Sequence, residues 1–428
     1  MQIKNKASRK STSGRSQPVF RFAHPFFTAT PPEKRTAKFN GATRMTQHIK
    51  DHLEAIPPYG KASLIMTLDQ IVGAAGAADI ANSGKLIFHS TGDTGAPVHG
   101  DMQTPVSDAM GAEYNINNPA ASPAFFLHLG DVIYYDNTSQ GYRQQFYNPY
   151  IKYPGKIIAI PGNHDGEMHK FNQANQPATG QKWSLAAFIE NFCQPKPGVP
   201  PAAGTILRQM INQPGVYWWL QTPLADIVGL YSNVAEGPGY IITQTDNSQK
   251  QWLLSTLKAI AKQRKPTDTR HKALLIAVHH PPYSQGGHES STEMLGDIDQ
   301  CCQGAGILPD AVLSGHAHNI QHFERKVSLD NKQVQIPYIV CGSGGHNADA
   351  IVFNKVTLKK PIPANVAVGK SLVGYGYLTV TVSSSKLNIN VNQVKVDPAT
   401  RQEKTTLFDN ASVNLTGSYL GTNFKFPG

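Results

Sequence analysis

An α/β fold is predicted by how strands, loops and helices follow one another from about residue 84. Five short apolar runs are rich in β-branched or aromatic residues, as buried strands are. Every run ends in a loop that contains glycine or proline, which marks the end of the strand. Polar side chains follow these strand ends, and in open α/β sheets sites form beyond the carboxyl ends of strands. The pattern therefore predicts a site built from several strand-end loops.

The five runs differ in the loops that follow them. The runs cover residues 86–89, 124–129, 156–160, 273–278 and 311–313. Their loops read, in the same order, Thr-Gly-Asp-Thr-Gly, Gly-Asp, Pro-Gly-Asn-His-Asp, His-His-Pro-Pro and Ser-Gly-His-Ala-His. These loops supply carboxylates, an amide and imidazoles, but no thiol.

The remaining elements are two helices and a hairpin. Residues 248–263 predict an amphipathic helix, because Trp252, Leu253 and Leu257 line one face. A second helix is predicted over residues 185–192. The segment 166–215 is otherwise rich in Gln, Pro and Gly, which indicates an insertion over the site. Alternating residues over 375–383 and 387–394 predict an antiparallel hairpin.

The composition is that of a globular protein rather than a disordered, coiled-coil or membrane-spanning chain. Apolar residues make up 40% and charged residues 16% of the chain. A membrane-spanning helix needs roughly 18 or more uncharged apolar residues in a row, and no such run occurs. The length of 428 residues allows two or three domains or one large α/β unit.

The formal charge of +10 is concentrated at the start of the chain. Residues 1–50 hold eleven Lys and Arg and a single acid, Glu33, so the remainder balances to zero. We expect residues 1–60 to form a flexible, solvated basic leader. Contact with nucleic acid through this tail is the alternative, and it is less favoured.

The compartment is predicted to be the cytoplasm, although export by another route stays open. A secretory signal peptide is not predicted, because Arg21, His24 and Pro25 interrupt the only aromatic stretch near the start. The four cysteines form no Cys-x-x-Cys pair, which excludes a zinc ribbon and fits a reducing compartment. We expect no membrane partner.

The polar loop residues form a set that suits a pair of metal ions. The candidate ligands are Asp93, Asp131, Tyr134, Asn163, His279, His316 and His318. Oxygen and imidazole ligands without thiolates are typical of sites for Fe, Zn and Mn. Seven ligands are too many for one ion and suit two neighbouring ions. Asp131 is the expected bridge, because a carboxylate has two oxygens to offer.

The ordered set resembles the calcineurin-like metallophosphoesterase superfamily over roughly residues 84–320. Its motifs are Gly92-Asp93-Thr94-Gly95, Gly130-Asp131-Val132-Ile133-Tyr134, Gly162-Asn163-His164-Asp165, His279-His280-Pro281 and Gly315-His316-Ala317-His318. Two details resemble the purple acid phosphatase branch. The first motif has glycine where most of the superfamily has histidine, and the second ends in Tyr134. The segment 342–345 (Gly-Ser-Gly-Gly) resembles a later family loop.

The resemblance implies a fold and a division of the chain. The fold is expected to be a four-layer αββα sandwich of two mixed sheets flanked by helices. Residues 61–400 would form the metallophosphoesterase catalytic domain. Residues 401–428 would be a C-terminal extension that packs on the domain or trails it.

The resemblance also implies a ligand set for each metal. Asp93, Asp131, Tyr134 and His318 would hold the first metal, which is expected to be Fe³⁺. Asp131, Asn163, His279 and His316 would hold the second, expected to be Fe²⁺, Zn²⁺ or Mn²⁺. Two alternatives stay open: Tyr134 could be an aromatic packed beside Tyr135, and His280 rather than His279 could be the ligand.

Two further histidines, His164 and His288, are the catalytic candidates. By resemblance His164 would face the substrate, and either residue could protonate the departing alkoxide. The alternative for His288 is an ordinary polar loop residue. Asp165 is expected to orient His164, as carboxylates commonly do for imidazoles. His346 is a weaker candidate at the rim of the pocket.

The predicted activity is hydrolysis of phosphate monoesters, in the manner of an acid phosphatase. Two cations would neutralise the ester and lower the pKa of a bound water, and the resulting hydroxide would attack phosphorus directly. The partner would be a small phosphorylated substrate. The alternatives are a phosphodiesterase of the same superfamily and a non-catalytic scaffold with this fold. The oligomeric state is not predicted.

Overall fold

The computed structural model describes residues 63–96, 100–167, 181, 184–234, 238–243, 246–264, 272–329, 332–351, 361–415 and 424–425. The basic leader expected over residues 1–60 lies outside these ranges. In chain order the described strands are β1 (Ile65–Thr67), β2 (Lys85–Thr91), β3 (Phe125–His128), β4 (Lys156–Ala159), β5 (Trp218–Gln221), β6 (Ala225–Leu230), β7 (Ala273–Val278), β8 (Ala311–Ser314), β9 (Ile320–Leu329), β10 (Lys332–Cys341), β11 (Val366–Leu372), β12 (Tyr375–Ser383), β13 (Lys386–Val396), β14 (Glu403–Asn414) and β15 (Phe424–Lys425).

These strands form two mixed sheets. The larger sheet has the order β1-β5-β6-β7-β8-β10-β9-β11, and β15 also pairs with β9. Its centre, from β6 through β7 and β8 to β10, is parallel. The smaller sheet has the order β14-β13-β12-β2-β3-β4, in which β2, β3 and β4 are parallel and the other three strands are antiparallel.

Helices cover the outer faces of both sheets. The described α-helices are α1 (Leu68–Ser83), α2 (Gln103–Gly111), α3 (Ser139–Tyr142), α4 (Asn163–Gly166), α5 (Ala186–Phe192), α6 (Ser248–Gln263) and α7 (Thr292–Ala305). Side chains of α6 and α7, including Leu253 and Ile298, pack on the outer face of the larger sheet. Side chains of α2 and α5, including Met110 and Phe188, pack with the outer face of the smaller sheet.

The main core lies between the two sheets. Phe88 and Leu127 of the smaller sheet pack with Leu275 and Leu313 of the larger one in a single buried cluster. Together with the outer helices this gives the four-layer sandwich that the motifs predict, and the predicted fold is confirmed. Residues 403–414 form an edge strand of the smaller sheet, paired with β13.

This architecture brings strand ends from both sheets to one place. The smaller sheet contributes the loops that follow β2, β3 and β4, and the larger sheet contributes those that follow β7 and β8. Each of these parallel strands is buried over nearly its whole length and carries a run of apolar residues. The candidate metal ligands begin only where the strands end.

No helix among the described residues is long and apolar enough to span a membrane.

Truncation of Phe88 tests the packing between the sheets. Its side chain is fully buried and stacks on Phe125 with ring centroids 5.0 Å apart. Phe88→Ala should therefore lower the free energy of unfolding by about 3–5 kcal/mol, measured by urea denaturation. Leu407→Ala is the control, since 62% of that residue is exposed on β14; its cost should stay below about 0.5 kcal/mol. Equal costs for the two variants would contradict the placement of the core.

Candidate metal centre

The four side chains expected to hold the second metal converge around the amide oxygen of Asn163. This Oδ1 lies 2.9 Å from Nδ1 of His316 and 3.2 Å from Nε2 of His279. The same Nε2 of His279 is 3.3 Å from Oδ2 of Asp131. Asp131, His279 and His316 also have the geometry of a metal-holding group. Loops from both sheets therefore meet at this point.

The side chains expected to hold the first metal lie in a second, adjoining group. The Tyr134 hydroxyl donates to Oδ1 of Asp93 over 3.0 Å and lies 3.1 Å from Nε2 of His318. That Nε2 is 3.5 Å from Oδ1 of Asp93. The other carboxylate oxygen of Asp93 accepts from the backbone N–H of His316 over 2.7 Å. The two groups are thus connected through the loop that follows β8.

Asp131 lies between the two groups and has an oxygen that makes no hydrogen bond. Its Oδ1 accepts from the backbone N–H of His164 over 2.9 Å, whereas its Oδ2 is buried and has only the ion-pair contact with Nε2 of His279 at 3.3 Å. A buried carboxylate oxygen in this condition costs free energy unless something positive lies beside it. The structure therefore fits the bridging role that the sequence predicts for Asp131.

Three of these residues have backbone conformations that residues other than glycine rarely adopt. Asp93, Asp131 and His316 adopt φ angles of 57°, 54° and 68°. Non-glycine residues in this left-handed region are uncommon, and such strain of roughly 1–3 kcal/mol persists only where the surroundings enforce it. The strained residues are those that turn the chain sharply at the ends of β2, β3 and β8.

Two glycines allow the loops to approach one another. A Cβ at Gly130, which has a φ of +95°, would lie 2.6 Å from Nδ1 of His279. A Cβ at Gly315 would lie 2.6 Å from Oδ2 of Asp93. The glycines of the Gly-Asp and Gly-His motifs are thus required by close packing.

The structure distinguishes the two neighbouring histidines after β7. His279 presents Nε2 to the site and places Nδ1 2.8 Å from the carbonyl oxygen of Leu129. Metal-binding histidines commonly use their second nitrogen in this way. His280 places Nδ1 2.8 Å from the hydroxyl of Ser232, outside the group around Asn163. The geometry favours His279 as the ligand.

The carboxylate beside His164 belongs to Glu167 rather than to Asp165. Nδ1 of His164 lies 2.8 Å from Oε2 of Glu167, and both side chains are almost fully buried. The carboxylate of Asp165 instead accepts hydrogen bonds from the backbone N–H groups of Val132 and Gly162. The expectation that Asp165 orients His164 is therefore wrong, and Asp165 braces the loop that carries Asn163.

The loop that follows β10 brings two further residues to the site. The imidazole of His346 stacks flat on the ring of Tyr134, with centroids 3.6 Å apart, and its Nδ1 is 2.7 Å from the carbonyl oxygen of Gly95. Asp349 places Oδ2 3.3 Å from Nε2 of His288 and 3.4 Å from Nδ1 of His318. His288 in turn places Nδ1 3.1 Å from Nε2 of His316.

The charged groups of the site shift one another's pKa values. Burial alone would raise the pKa of Asp131, but the charges of His279 and His164 hold that pKa well below its ordinary value. Burial would lower the pKa of His279, and the Asp131 carboxylate overcomes this and raises it to about 9. Burial, with the charges of Asp131 and Asp93, raises the pKa of Tyr134 well above its ordinary value. A cation is the natural partner for such a concentration of carboxylates.

A comparison with models of protein families identifies the family of this chain. The calcineurin-like phosphoesterase family matches residues 91–319, which is more than half of the chain and spans the five motifs that carry the candidate ligands. The chain belongs to this family. The predicted superfamily is thereby confirmed. A search of curated proteins finds no match.

A search of solved structures finds chains that are similar to this one at low sequence identity. GAP50, described as the anchor in the inner membrane complex of Plasmodium, is 12% identical with a TM-score of 0.45, covering 77% of this chain and 89% of that one. PhoD is 14% identical with a TM-score of 0.46, covering 80% and 71%. A predicted phosphoesterase from Streptococcus pneumoniae is 10% identical with a TM-score of 0.26, covering 75% and 98%.

Phosphoesterases of this family generally bind a pair of metal ions, and the side chains of this chain fit such a pair. The fit rests on Oδ2 of Asp131, which is buried and makes no hydrogen bond, on the close donor atoms of Asp131, His279 and His316, and on the contacts among Asp93, Tyr134 and His318. The donors are carboxylate, phenol, amide and imidazole, which suit hard or borderline cations. Among the described residues, the three fully buried cysteines lie outside both groups.

Metal-dependent stabilisation tests this fit. A cation that binds the folded state and not the unfolded state raises the free energy of unfolding. The gain is about 2.7 kcal/mol when the free cation is present at a hundred times its Kd. We expect the chelator-treated protein to gain thermal stability on addition of Zn²⁺, and Asp131→Asn to lose most of this gain. His322→Ala is the control, because that ring contacts Glu324 and Asp409 instead. An unchanged gain in Asp131→Asn would contradict the site.

Proposed function

We propose that this phosphoesterase hydrolyses phosphate monoesters, with a small phosphorylated molecule as its substrate. The single observation that supports this most strongly is the convergence of seven polar side chains, carried by loops of two sheets, into two adjoining groups. Bound there, two cations would neutralise the charge of the ester and activate a water molecule as the nucleophile. No side-chain nucleophile is required for this chemistry.

In this proposal the chain's residues divide into two ligand sets that share Asp131. Asp93, Tyr134 and His318 complete the first set, for which we propose Fe³⁺. Asn163, His279 and His316 complete the second, for which we propose Fe²⁺, Zn²⁺ or Mn²⁺. A phenolate is a hard anionic donor and suits a trivalent cation, and the proximity of the Tyr134 hydroxyl to both Asp93 and His318 supports the first assignment.

His164 is the proposed donor of the proton to the leaving alcohol. Glu167 holds Nδ1 of the ring, so Nε2 is the nitrogen that would deliver the proton. The backbone N–H of His164 is fixed at the same time by Asp131, which places the ring next to the proposed metals. The ring also lies against Tyr134, with centroids 4.3 Å apart. These contacts hold the proton donor rigidly beside both ligand sets.

His288 is the second catalytic candidate from the sequence, and it also lies at the site. Both of its ring nitrogens have protein partners, His316 on one side and Asp349 on the other. A ring in this arrangement can line the pocket and hold its neighbours. We assign the proton transfer to His164, whose contacts with Glu167, Asp131 and Tyr134 place it beside both ligand sets.

A substrate panel tests the proposed activity. The metal-loaded protein should hydrolyse aryl and alkyl phosphate monoesters faster than the matching diesters, compared as kcat/KM. A preference for diesters would replace the proposal by the phosphodiesterase alternative. A metal-loaded protein that hydrolyses neither class would point to a binding scaffold.

Replacement of His164 should reveal proton transfer to the leaving group. We expect His164→Ala to lower kcat for an alkyl phosphate by about 10²–10⁴-fold, the usual contribution of a general acid. The loss should be much smaller for p-nitrophenyl phosphate, whose leaving group needs no proton. Glu167→Gln should show the same dependence on the leaving group with a smaller loss. His322→Ala serves as the control, and equal losses on both substrates would refute the role.

Tyr134 gives the proposal a spectroscopic test. The iron-loaded protein should show a visible charge-transfer band from tyrosinate to Fe³⁺, and Tyr134→Phe should abolish it. Phenylalanine keeps the ring that stacks on His346, so the packing should survive. A colourless and fully active protein that contains no iron would reject the iron assignment and leave the family assignment intact.

A further inference from the structure

Asp349 contacts the proposed ligand His318 and, through His288, is connected to His316, although the sequence motifs do not include it. One of its carboxylate oxygens, Oδ2, lies 3.4 Å from Nδ1 of His318 and 3.3 Å from Nε2 of His288. The backbone N–H of Asp349 donates to the carbonyl oxygen of His318 over 2.8 Å. The loop after β10 is therefore attached directly to the loop that carries His316 and His318.

Two series of side-chain contacts lead from this oxygen towards the ligand sets. The first passes through one imidazole: Nδ1 of His318 faces Asp349, and its Nε2 faces Tyr134 and Asp93. The second passes through two imidazoles: His288 lies between Asp349 and Nε2 of His316, whose Nδ1 faces Asn163. The two series of contacts end at different ligand sets.

The proton positions along both series of contacts would be set by Asp349 once the proposed ions are bound. In the structure the inner nitrogens face oxygens, Tyr134 and Asp93 for Nε2 of His318 and Asn163 for Nδ1 of His316, and bound ions would take their lone pairs in place of these contacts. A carboxylate only accepts, so the nitrogen of each ring that faces Asp349 then carries the proton. His318 then keeps the lone pair on Nε2. His288 has its proton on Nε2 and accepts at Nδ1, so His316 carries its proton on Nε2 and keeps the lone pair on Nδ1. Both lone pairs point at the proposed metals.

We propose that Asp349 is a positioning residue that sets the tautomers of His318 and, through His288, of His316. It thereby prepares one imidazole ligand for each metal. This inference rests on the proposed binuclear function. The carboxylate stays 40% exposed at the outer edge, where water can solvate its charge while the imidazoles behind it are mostly buried.

A third cation among His288, His318 and Asp349 is the competing interpretation, because their donor atoms lie close enough to hold one. His318 excludes it if Nε2 binds the first metal. A neutral imidazole has one lone pair, and a cation on Nδ1 as well would require the ring to lose its last proton. The group is better explained as a hydrogen-bonded support of the kind that carboxylates provide for metal-bound histidines.

Calorimetric titration of the chelator-treated protein with Zn²⁺ tests the inference. The wild type should bind two equivalents, and Asn163→Ala identifies the step that belongs to the second set. Asp349→Ala should weaken both steps by about 10–100-fold, the usual effect of losing such a partner. His288→Ala should weaken only the step lost in Asn163→Ala. Asp349→Asn should lose less than the alanine variant, because one amide oxygen can occupy the position of Oδ2.

The control is Asn347→Ala, an exposed side chain of the same loop, which should bind both equivalents as the wild type does. If Asp349→Ala matches the wild type, the inference is overturned and the proposed function stands. If the wild type binds three equivalents and Asp349→Ala loses one, the third-cation interpretation replaces it. A wild type that binds no pair of ions overturns the proposed function, and the inference with it.

Discussion

The buried carboxylate of Asp131 is the constraint around which the structure is organised. A fully buried charge is costly unless compensating groups surround it. Here the compensation comes from the N–H of His164, the imidazole of His279 and a position for a cation at Oδ2. Bringing these groups together requires loops from both sheets to turn sharply in the same small volume. The left-handed backbone of three site residues and the glycines without room for a side chain follow from that crowding.

The sandwich supplies the rigidity that this crowding needs. The strands that carry the loops are short and mostly buried, and each is paired with at least one parallel neighbour, so their ends are fixed relative to one another. The core between the sheets contains mostly aliphatic side chains, and Phe88 and Phe125 add aromatic bulk. Because packed interiors tolerate little displacement, strain at the loops does not relax into the sheets.

The sequence could predict the parts of the site that local patterns encode. Apolar strands followed by polar loops are local signals, and they located every proposed ligand and the four-layer fold. Glu167 was missed because adjacency favoured Asp165, yet in a short helix residues three apart share a face and residues one apart do not. Asp349 could not be inferred, since its contact with His318 depends on how β9 and β10 pair and where the following loop returns. The long strands β9 and β10 likewise lack the strict alternation that marks β12 and β13.

The position of β12 has a consequence for how the protein matures. Among the described strands, β2 has two neighbours, β3 on one side and β12 on the other. Every proposed ligand precedes residue 319, whereas β12 spans Tyr375–Ser383. During synthesis the ligands therefore leave the ribosome well before the strand that anchors Asp93 is available. If the proposed ions bind to the completed site, their uptake would follow the pairing of β12 with β2 in the smaller sheet.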